Sequence, residues 1–478
     1  SFTIAHENPY GGNFNFQAGT VGNISLNNLV FPSVTEISSM VASPSQSVAS
    51  DLYLIRNISG EIELRTFSFS AGANIFVEGS GAGSTLRIGS GTVSSPYSTL
   101  SGGLDNNSSG FYSVVSGGRG NTASGNCSSV LGGLCNVSSN LYSTLGGGRD
   151  NTSSARYTTV GGGRENTASG CCSVISGGYC NSITSCASSI SGGRRNTVSG
   201  NCSTISGGYC NIVSVCYGTI GGGRCNTSSS RYSSIGGGKR NTSSGNCSTI
   251  SGGCCNVTAG TFSTISGGCC NTSSCDYSTV GGGRKNMSSG PFSIIAGGSC
   301  NCATANTSTV GGGQSNCATF DNSTIAGGAY NISTGNSSTV GGGLSNCATA
   351  TYSTIAGGRC NTASGYVSTV AGGCCNTSSC EYSTIGGGCA NISSAQYSTL
   401  GGGCCNSSSG LFSTVGGGRS NRSSSSSTTV AGGHCNSATG GVSTIGGGYC
   451  NTASGHYSFI GGGTVNITSG RYTSIGSG

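Results

Sequence analysis

From Tyr97 onward one aliphatic residue recurs every fifteen positions without a slip, at Leu100, Val115, Val130, Leu145, Val160, Ile175 and so on to Ile475. Between these anchors the chain is mostly Gly, Ser, Thr, Asn and Cys. With Tyr97 as position 1, the unit reads Tyr/Cys-Ser-Thr-Val/Ile-Gly-Gly-Gly-x-x-Asn-Thr-Ser/Ala-Ser-Gly-x. Position 4 is Val, Ile or Leu in all 26 copies, and position 10 is Asn in all 25 copies that reach it. Fifteen residues are too few for a helix pair or a propeller blade, but they fit one coil of a parallel β-solenoid with two short strands and two tight corners. Alternation along Tyr-Ser-Thr-Val puts Ser and Val on one side and Tyr and Thr on the other. The unvarying aliphatic takes the inside, so Tyr and Thr face outward. Gly-Gly-Gly supplies a corner where positive φ carries no Cβ penalty. The second strand holds Asn-Thr-Ser/Ala, with mostly small residues at position 12 so that the walls can close. The pattern predicts an all-β chain: a parallel β-solenoid, or β-roll, of about 25 fifteen-residue coils over residues 97–478.

Residues 1–96 lack this period and hold four of the five prolines. Strand-like runs fall at Asn23–Phe31, Leu52–Arg56, Glu61–Phe69, Asn74–Glu78 and Ser84–Ile88, with a turn at Asn57–Gly60. The segment reads as a small β-module that grades into irregular first coils near Gly72 and caps, attaches or assembles the solenoid.

Composition narrows the function. Gly is 91 of 478 residues with only 5 Pro, which argues against collagen, and charged residues are only 6%. No stretch approaches the roughly 20 apolar residues of a membrane helix, so no membrane span is expected. Charge is uneven, −3 over residues 1–96 and +10 over 97–478. Three scattered His (His6, His434, His456), sparse acids and the absence of a Walker loop, nucleophile elbow or zinc motif predict no enzyme and no cofactor.

The segments Asn166-Thr-Ala-Ser-Gly170 followed by Ser173-Val-Ile, and Asn361-Thr-Ala-Ser-Gly365 followed by Ser368-Thr-Val-Ala-Gly-Gly, resemble the haemagglutinin-type repeats of YadA-like trimeric autotransporter adhesin heads. Similar arrays occur in fibre proteins of phages and large DNA viruses. The resemblance spans residues 97–478 and implies a left-handed parallel β-roll, three chains side by side, and surface display and attachment.

Four files of residues carry the candidate chemistry. Among the 29 Cys, twelve share position 9 and five share position 8. Successive coils lie about 4.8 Å apart, inside the Cα range of a disulfide. Rung-to-rung staples are therefore expected along six ladders: Cys210 with Cys225, Cys254 with Cys269, Cys255 with Cys270, Cys302 with Cys317, Cys374 with Cys389 and Cys404, and Cys435 with Cys450. Bridges between chains, free thiols and metal ligation are the alternatives, and oxidised cysteines would place the chain outside the cell or on a particle surface.

The position-10 file, with Asn106, Asn121, Asn136, Asn151, Asn166, Asn451 and Asn466 among its members, keeps Asn even where no sequon is complete, as in Asn121-Thr-Ala. That favours an inward amide ladder over glycosylation. Sequons at Asn23, Asn57, Asn126, Asn201, Asn246 and Asn322 are the better glycosylation candidates.

Position 1 carries the outward rings Tyr97, Tyr112, Tyr142, Tyr157, Tyr217, Tyr232, Tyr352, Tyr382 and Tyr397. Packing against a neighbouring chain is the leading use, and glycan or receptor stacking the next. Position 8 files Arg119, Arg149, Arg164, Arg194, Arg224, Lys239, Arg284, Arg359 and Arg419 along one corner. This reads as a solvated edge, with an anionic polysaccharide as the minority reading and no nucleic acid.

The expected function is a non-enzymatic structural fibre, extracellular or on a cell or virion surface, stapled by disulfides and assembling with itself laterally or head to tail. A trimeric adhesin or a receptor- or glycan-binding fibre is the alternative. Ice binding ranks last, because position 1 is mostly aromatic or Cys and breaks the Thr-x-Thr pairing.

Overall fold

The computed structural model of the chain describes residues 51–56, 62–67, 75–78, 85–88 and 91–478. Two compact units divide it. In the first, Asp51–Arg56 (β1) and Ile62–Phe67 (β2) pair antiparallel, with Leu54 opposite Leu64. The expected strand Asn23–Phe31 and turn Asn57–Gly60 lie outside the described residues.

The second unit is a parallel β-solenoid, all-β and, among the described residues, without helix. After Ile75–Glu78 (β3), Thr85–Ile88 (β4) and Gly91–Val93 (β5) come Thr99–Leu100 (β6) and Asn106–Ser108 (β7), the first and second strands of the coil at Tyr97. Every later coil repeats this pair. First strands join in parallel register, Leu100 to Val115 to Val130 to Leu145, and second strands likewise, Ser108 to Ala123 to Ser138. The stack already begins before Tyr97, since Leu86 pairs with Thr99 and Gly91 with Asn106. At about 4.8 Å per coil, the 25 full repeats stack over about 120 Å.

The run Tyr-Ser-Thr-Val is shorter as a strand than the alternation alone predicts. Only positions 3 and 4 are extended, because position 1 is left-handed, with φ between 52° and 60° in every copy from Tyr97 to Tyr472. Position 9 is left-handed as well, for example Asp105 at 56° and Cys255 at 56°. A coil of fifteen residues must reverse direction twice in few residues, and these two positions do it in company with the glycines. Left-handed backbone costs an L-residue roughly 1–2 kcal/mol, so each coil carries strain that its contacts have to offset.

One corner glycine shows why no other residue fits. Gly118 has φ +85°, and a Cβ there would lie 2.2 Å from the Gly133 carbonyl oxygen and 2.5 Å from Asn121 Nδ2.

The core runs between two facing files. The position-4 aliphatics are fully buried from Leu100 through Ile250 to Ile460, faced by position 12, which is apolar at Ala123 and on the successive rungs Ala168, Ile183, Val198 and Val213, and Ser in many other coils. Beside them runs a file of buried hydroxyls. Ser108 Oγ lies 2.8 Å from Ser113 Oγ, which donates to the Gly110 carbonyl at 2.7 Å. Ser138 and Ser143 repeat the pairing at 2.7 Å. Where positions 2 and 12 both carry a hydroxyl, the pair offsets much of its desolvation cost in the dry interior, whereas Ser128 and Ser458, which face Ala123 and Ala453, have no hydrogen-bond partner.

Candidate functional site

Of the files that carry the candidate chemistry, one faces inward and three face outward. The inward one is the position-10 asparagine. The backbone N–H of Asn121 donates to Asn106 Oδ1 at 2.9 Å, while Asn121 Nδ2 donates to the Gly117 and Gly133 carbonyls, both at 2.9 Å. The Asn136 N–H then donates to Asn121 Oδ1 at 3.0 Å. The same contacts recur at Asn151, Asn166 and Asn451. Asn466 donates from its N–H to Asn451 Oδ1 and from Nδ2 to the Gly462 carbonyl. From Asn106 to Asn451 these side chains are buried, so the sequons they complete are closed to a glycosyltransferase.

Asn126, Asn201, Asn246 and Asn322 stand in the opposite corner and are exposed. Asn126 Oδ1 accepts the Phe111 N–H at 3.1 Å and Asn201 Oδ1 accepts the Cys186 N–H at 2.9 Å, so each of these two amides ties the preceding coil through its oxygen. Asn23 and Asn57 lie outside the described residues.

The first outward file is aromatic. Tyr97 and Tyr112 stack with ring centroids 4.8 Å apart, Tyr142 and Tyr157 at 5.1 Å, Tyr217 and Tyr232 at 4.8 Å, and Tyr382 and Tyr397 at 4.9 Å. Phe262, Tyr277 and Phe292 form a run of three. Tyr352 instead meets Tyr366 edge-on at 5.9 Å. About half of each ring remains exposed, 54% at Tyr112 and 52% at Tyr232 and Tyr352. Left-handed φ at position 1 aims the rings away from the coil, and the coil pitch then sets the stacking distance.

The second outward file is the position-8 corner, where parallel bridges join one coil to the next from Leu104 to Thr464. Arg149 pairs with Asp150 at 3.0 Å and Arg164 with Glu165 at 2.9 Å. Arg119, Arg194, Arg224, Lys239, Arg284, Arg359 and Arg419 are exposed along the same edge. Between Arg164 and Arg224 the sequence alternates Arg and Tyr, an interleaving that the overall basic file conceals.

The third is sulfur, and here the structure corrects the expected rung-to-rung staples: every cysteine from Cys127 to Cys450 is a free thiol. Cys210 and Cys225 are not bonded to each other, and both are free. The same holds for Cys255 and Cys270, and for Cys435 and Cys450, each pair one coil apart. Cys254 stands in register with Cys269, Cys374 with Cys389, Cys389 with Cys404, and Cys302 with Cys317, again without a bond. Register itself is the obstacle. Residues related by a pure translation of about 4.8 Å keep their Cβ atoms equally far apart with parallel vectors, whereas a disulfide wants Cβ atoms about 3.5–4.5 Å apart. Sulfurs of sequence neighbours come within hydrogen-bonding distance: Cys254 and Cys255 at 3.3 Å, Cys269 and Cys270 at 3.4 Å, Cys374 and Cys375 at 3.3 Å, and Cys404 and Cys405 at 3.3 Å. Hydrogen bonding from the adjacent thiol raises the pKa of Cys255, Cys269, Cys375 and Cys405.

Cys302 and Cys317 behave differently, being half-buried on the second strand. A hydrogen bond between their thiols holds Cys317 down at about 7 and pushes Cys302 up, so the pair shares one proton. Cys347, in the same coil position with Ile332 and Thr362 as strand neighbours, is raised by burial alone.

Among the described residues no three His, Cys, Asp or Glu side chains converge as a metal-binding set, and no helix is long and apolar enough to cross a membrane. No known family model matches the chain, and no curated protein matches it at a significant level.

Proposed function

We propose that this chain is a non-enzymatic structural protein, a rod that associates with its own copies into a fibre displayed outside the cell or on a particle surface. The observation that carries the reading is the unbroken in-register stack from Leu100 to Ile475, with flat, half-exposed rings along one side. A surface of stacked Tyr and Phe flanked by half-exposed Thr is well suited to bury against a like surface, because rings offer large apolar area at little side-chain entropy. Exposed sequons at Asn126, Asn201, Asn246 and Asn322 support the extracellular placement. The cysteines do not, since their sulfurs are free.

Light scattering over a hundredfold concentration range, with negative-stain micrographs of the same samples, tests this. Oligomers or filaments that dissolve when Tyr217, Tyr232, Tyr382 and Tyr397 are changed to Ser are the expected result. Isolated monomers at every concentration would overturn it. A second reading, a receptor- or glycan-binding fibre, is favoured by the Arg and Tyr edge at position 8.

A further inference from the structure

Arg164, Tyr179, Arg194, Tyr209 and Arg224 occupy position 8 of five successive coils, joined by parallel bridges and followed by Lys239. Each tyrosine lies between two guanidinium groups. Arg164 and Arg194 sit 5.4 and 5.2 Å from the Tyr179 centroid, and Arg194 and Arg224 sit 5.6 and 5.5 Å from that of Tyr209. The rings are only half-exposed because the cations cover them, while Arg194 and Arg224 remain exposed. Arg195 and Arg240 stand beside the file at position 9. From Arg194 to Arg240 neither position carries a carboxylate.

This arrangement solves a problem of repulsion. Arginines on consecutive rungs would be about 4.8 Å apart; a tyrosine between them doubles the spacing to about 9.6 Å and holds each guanidinium against a π face. From Arg164 to Arg224 the result is a row of cations at two-coil intervals, which Lys239 extends one coil further on. An extended polysaccharide advances by a similar distance over two sugars. A single-stranded nucleic acid fits less well, because it binds by stacking bases on free aromatic faces, and here both faces of each ring are taken.

We propose that the file from Arg194 to Lys239, with Arg195 and Arg240 beside it and Arg164 already ion-paired to Glu165 at its edge, binds an extended acidic polysaccharide that carries one anionic group per two-sugar repeat, laid along the solenoid axis. The inference goes beyond the fibre reading and does not need it, because a single soluble chain presents the whole file. The exposed guanidiniums receive the anions, and the tyrosines act as positioning residues that fix their spacing.

The test is binding of hyaluronan oligosaccharides to the full chain, with neutral chitohexaose and oligothymidylate as competing probes at the same salt. Hyaluronan should bind and weaken steeply with added salt. The double variant R194A/R224A should lose at least about tenfold in affinity and about two units of salt slope, while R359A/R419A, with the same charge removed elsewhere, stays within about twofold. Y179L/Y209L keeps every charge and should still lose about fivefold, which a merely solvated basic edge would not show. Circular dichroism checks that each variant keeps its β signal. The proposal is overturned if hyaluronan fails to bind at low salt, if chitohexaose binds equally, if oligothymidylate binds more tightly, or if the two double-arginine variants lose affinity alike.

Discussion

Asn241 Oδ1 accepts the backbone N–H of Asn256 at 3.0 Å, so one side chain ties two successive coils at their corner. Its Nδ2 donates at the same time to the Gly237 and Gly253 carbonyls at 2.9 and 3.0 Å. The Asn241 side chain thus bonds three backbone groups in two different coils, the buried Asn256 N–H among them, and adds to the backbone bond that the corner already makes from the Lys239 N–H to the Gly253 carbonyl. This explains why position 10 is Asn whether or not a sequon follows.

Asn241→Ala is therefore expected to cost about 2–3 kcal/mol, since the buried Asn256 N–H loses its acceptor and a buried group left unpaired costs about 1–3 kcal/mol. Ile250→Val, which trims one methylene from the fully buried file, should cost only about 1 kcal/mol. Denaturant midpoints of the two variants check the order. An Ile250→Val loss equal to that of Asn241→Ala would show that the aliphatic file, not the amide ladder, governs coil stacking.

The two corner glycines next to each other separate conformational need from space. A Cβ at Gly118 would meet the Gly133 carbonyl at 2.2 Å, whereas one at Gly117 meets nothing within 4 Å. Gly118→Ala should disrupt the corner and open the chain to protease near residue 118. Gly117→Ala should be tolerated within about 1 kcal/mol, as expected for surface changes away from such contacts. Equal damage from both substitutions would mean that position 6 is glycine for a reason other than the room around it.

The sequence displayed the solenoid more clearly than it displayed the uses of its surface. Val160 and Ile250 announce their burial because an aliphatic that recurs every fifteen residues in a Gly and Ser background has nowhere else to go. Left-handed φ at Tyr97 or Cys255 was not legible, because no composition rule puts Tyr or Cys there; only closure of a fifteen-residue coil does. The paired hydroxyls of Ser138 and Ser143 were hidden for a similar reason, since Ser reads as a turn or surface residue until its partner is known. The cysteine ladders show the opposite failure. Cα spacing suggests staples between Cys210 and Cys225 or between Cys254 and Cys269, yet all four thiols are free, and the missing quantity was the direction of the Cβ vectors. The Arg and Tyr alternation from Arg164 to Arg224 could have been read from the sequence once position 8 was treated as one line.

Strain at the left-handed positions gives a stabilising substitution. Ala390 has φ 52° at position 9, and its methyl group forms no stack or ion pair that would offset the backbone cost. Gly accepts this conformation but loses about 0.5–1 kcal/mol of chain entropy on folding, against roughly 1–2 kcal/mol of left-handed strain relieved. Ala390→Gly should raise the denaturation midpoint by the equivalent of about 0.5–1 kcal/mol. The matching change at position 1, Tyr397→Gly, should not, because it also removes stacking on Tyr382 and Phe412. A drop at Ala390→Gly would show that position 9 is not strained.

Sulfur reactivity follows from the same register. The shared proton between Cys302 and Cys317 depresses one thiol to about 7, so one member of the pair is largely ionised at about pH 8. Its folded pKa lies below the ordinary thiol value, hence reactivity toward iodoacetamide should rise through about pH 7 and level off above it, as thiolate is the attacking species. The other member, held protonated, should lag far behind, and Cys347, raised by burial, should react only at higher pH. Cys302→Ala removes the donor to Cys317 and should move the Cys317 profile upward. Mapped peptides after mild oxidation should contain no bond from Cys254 to Cys269 or from Cys210 to Cys225, because in-register sulfurs cannot reach bonding geometry without breaking the stack. Recovery of either cross-link in folded chain, or a Cys317 profile that matches Cys347, would show that neighbouring coils slide or tilt far more than a parallel ladder with these hydrogen bonds permits.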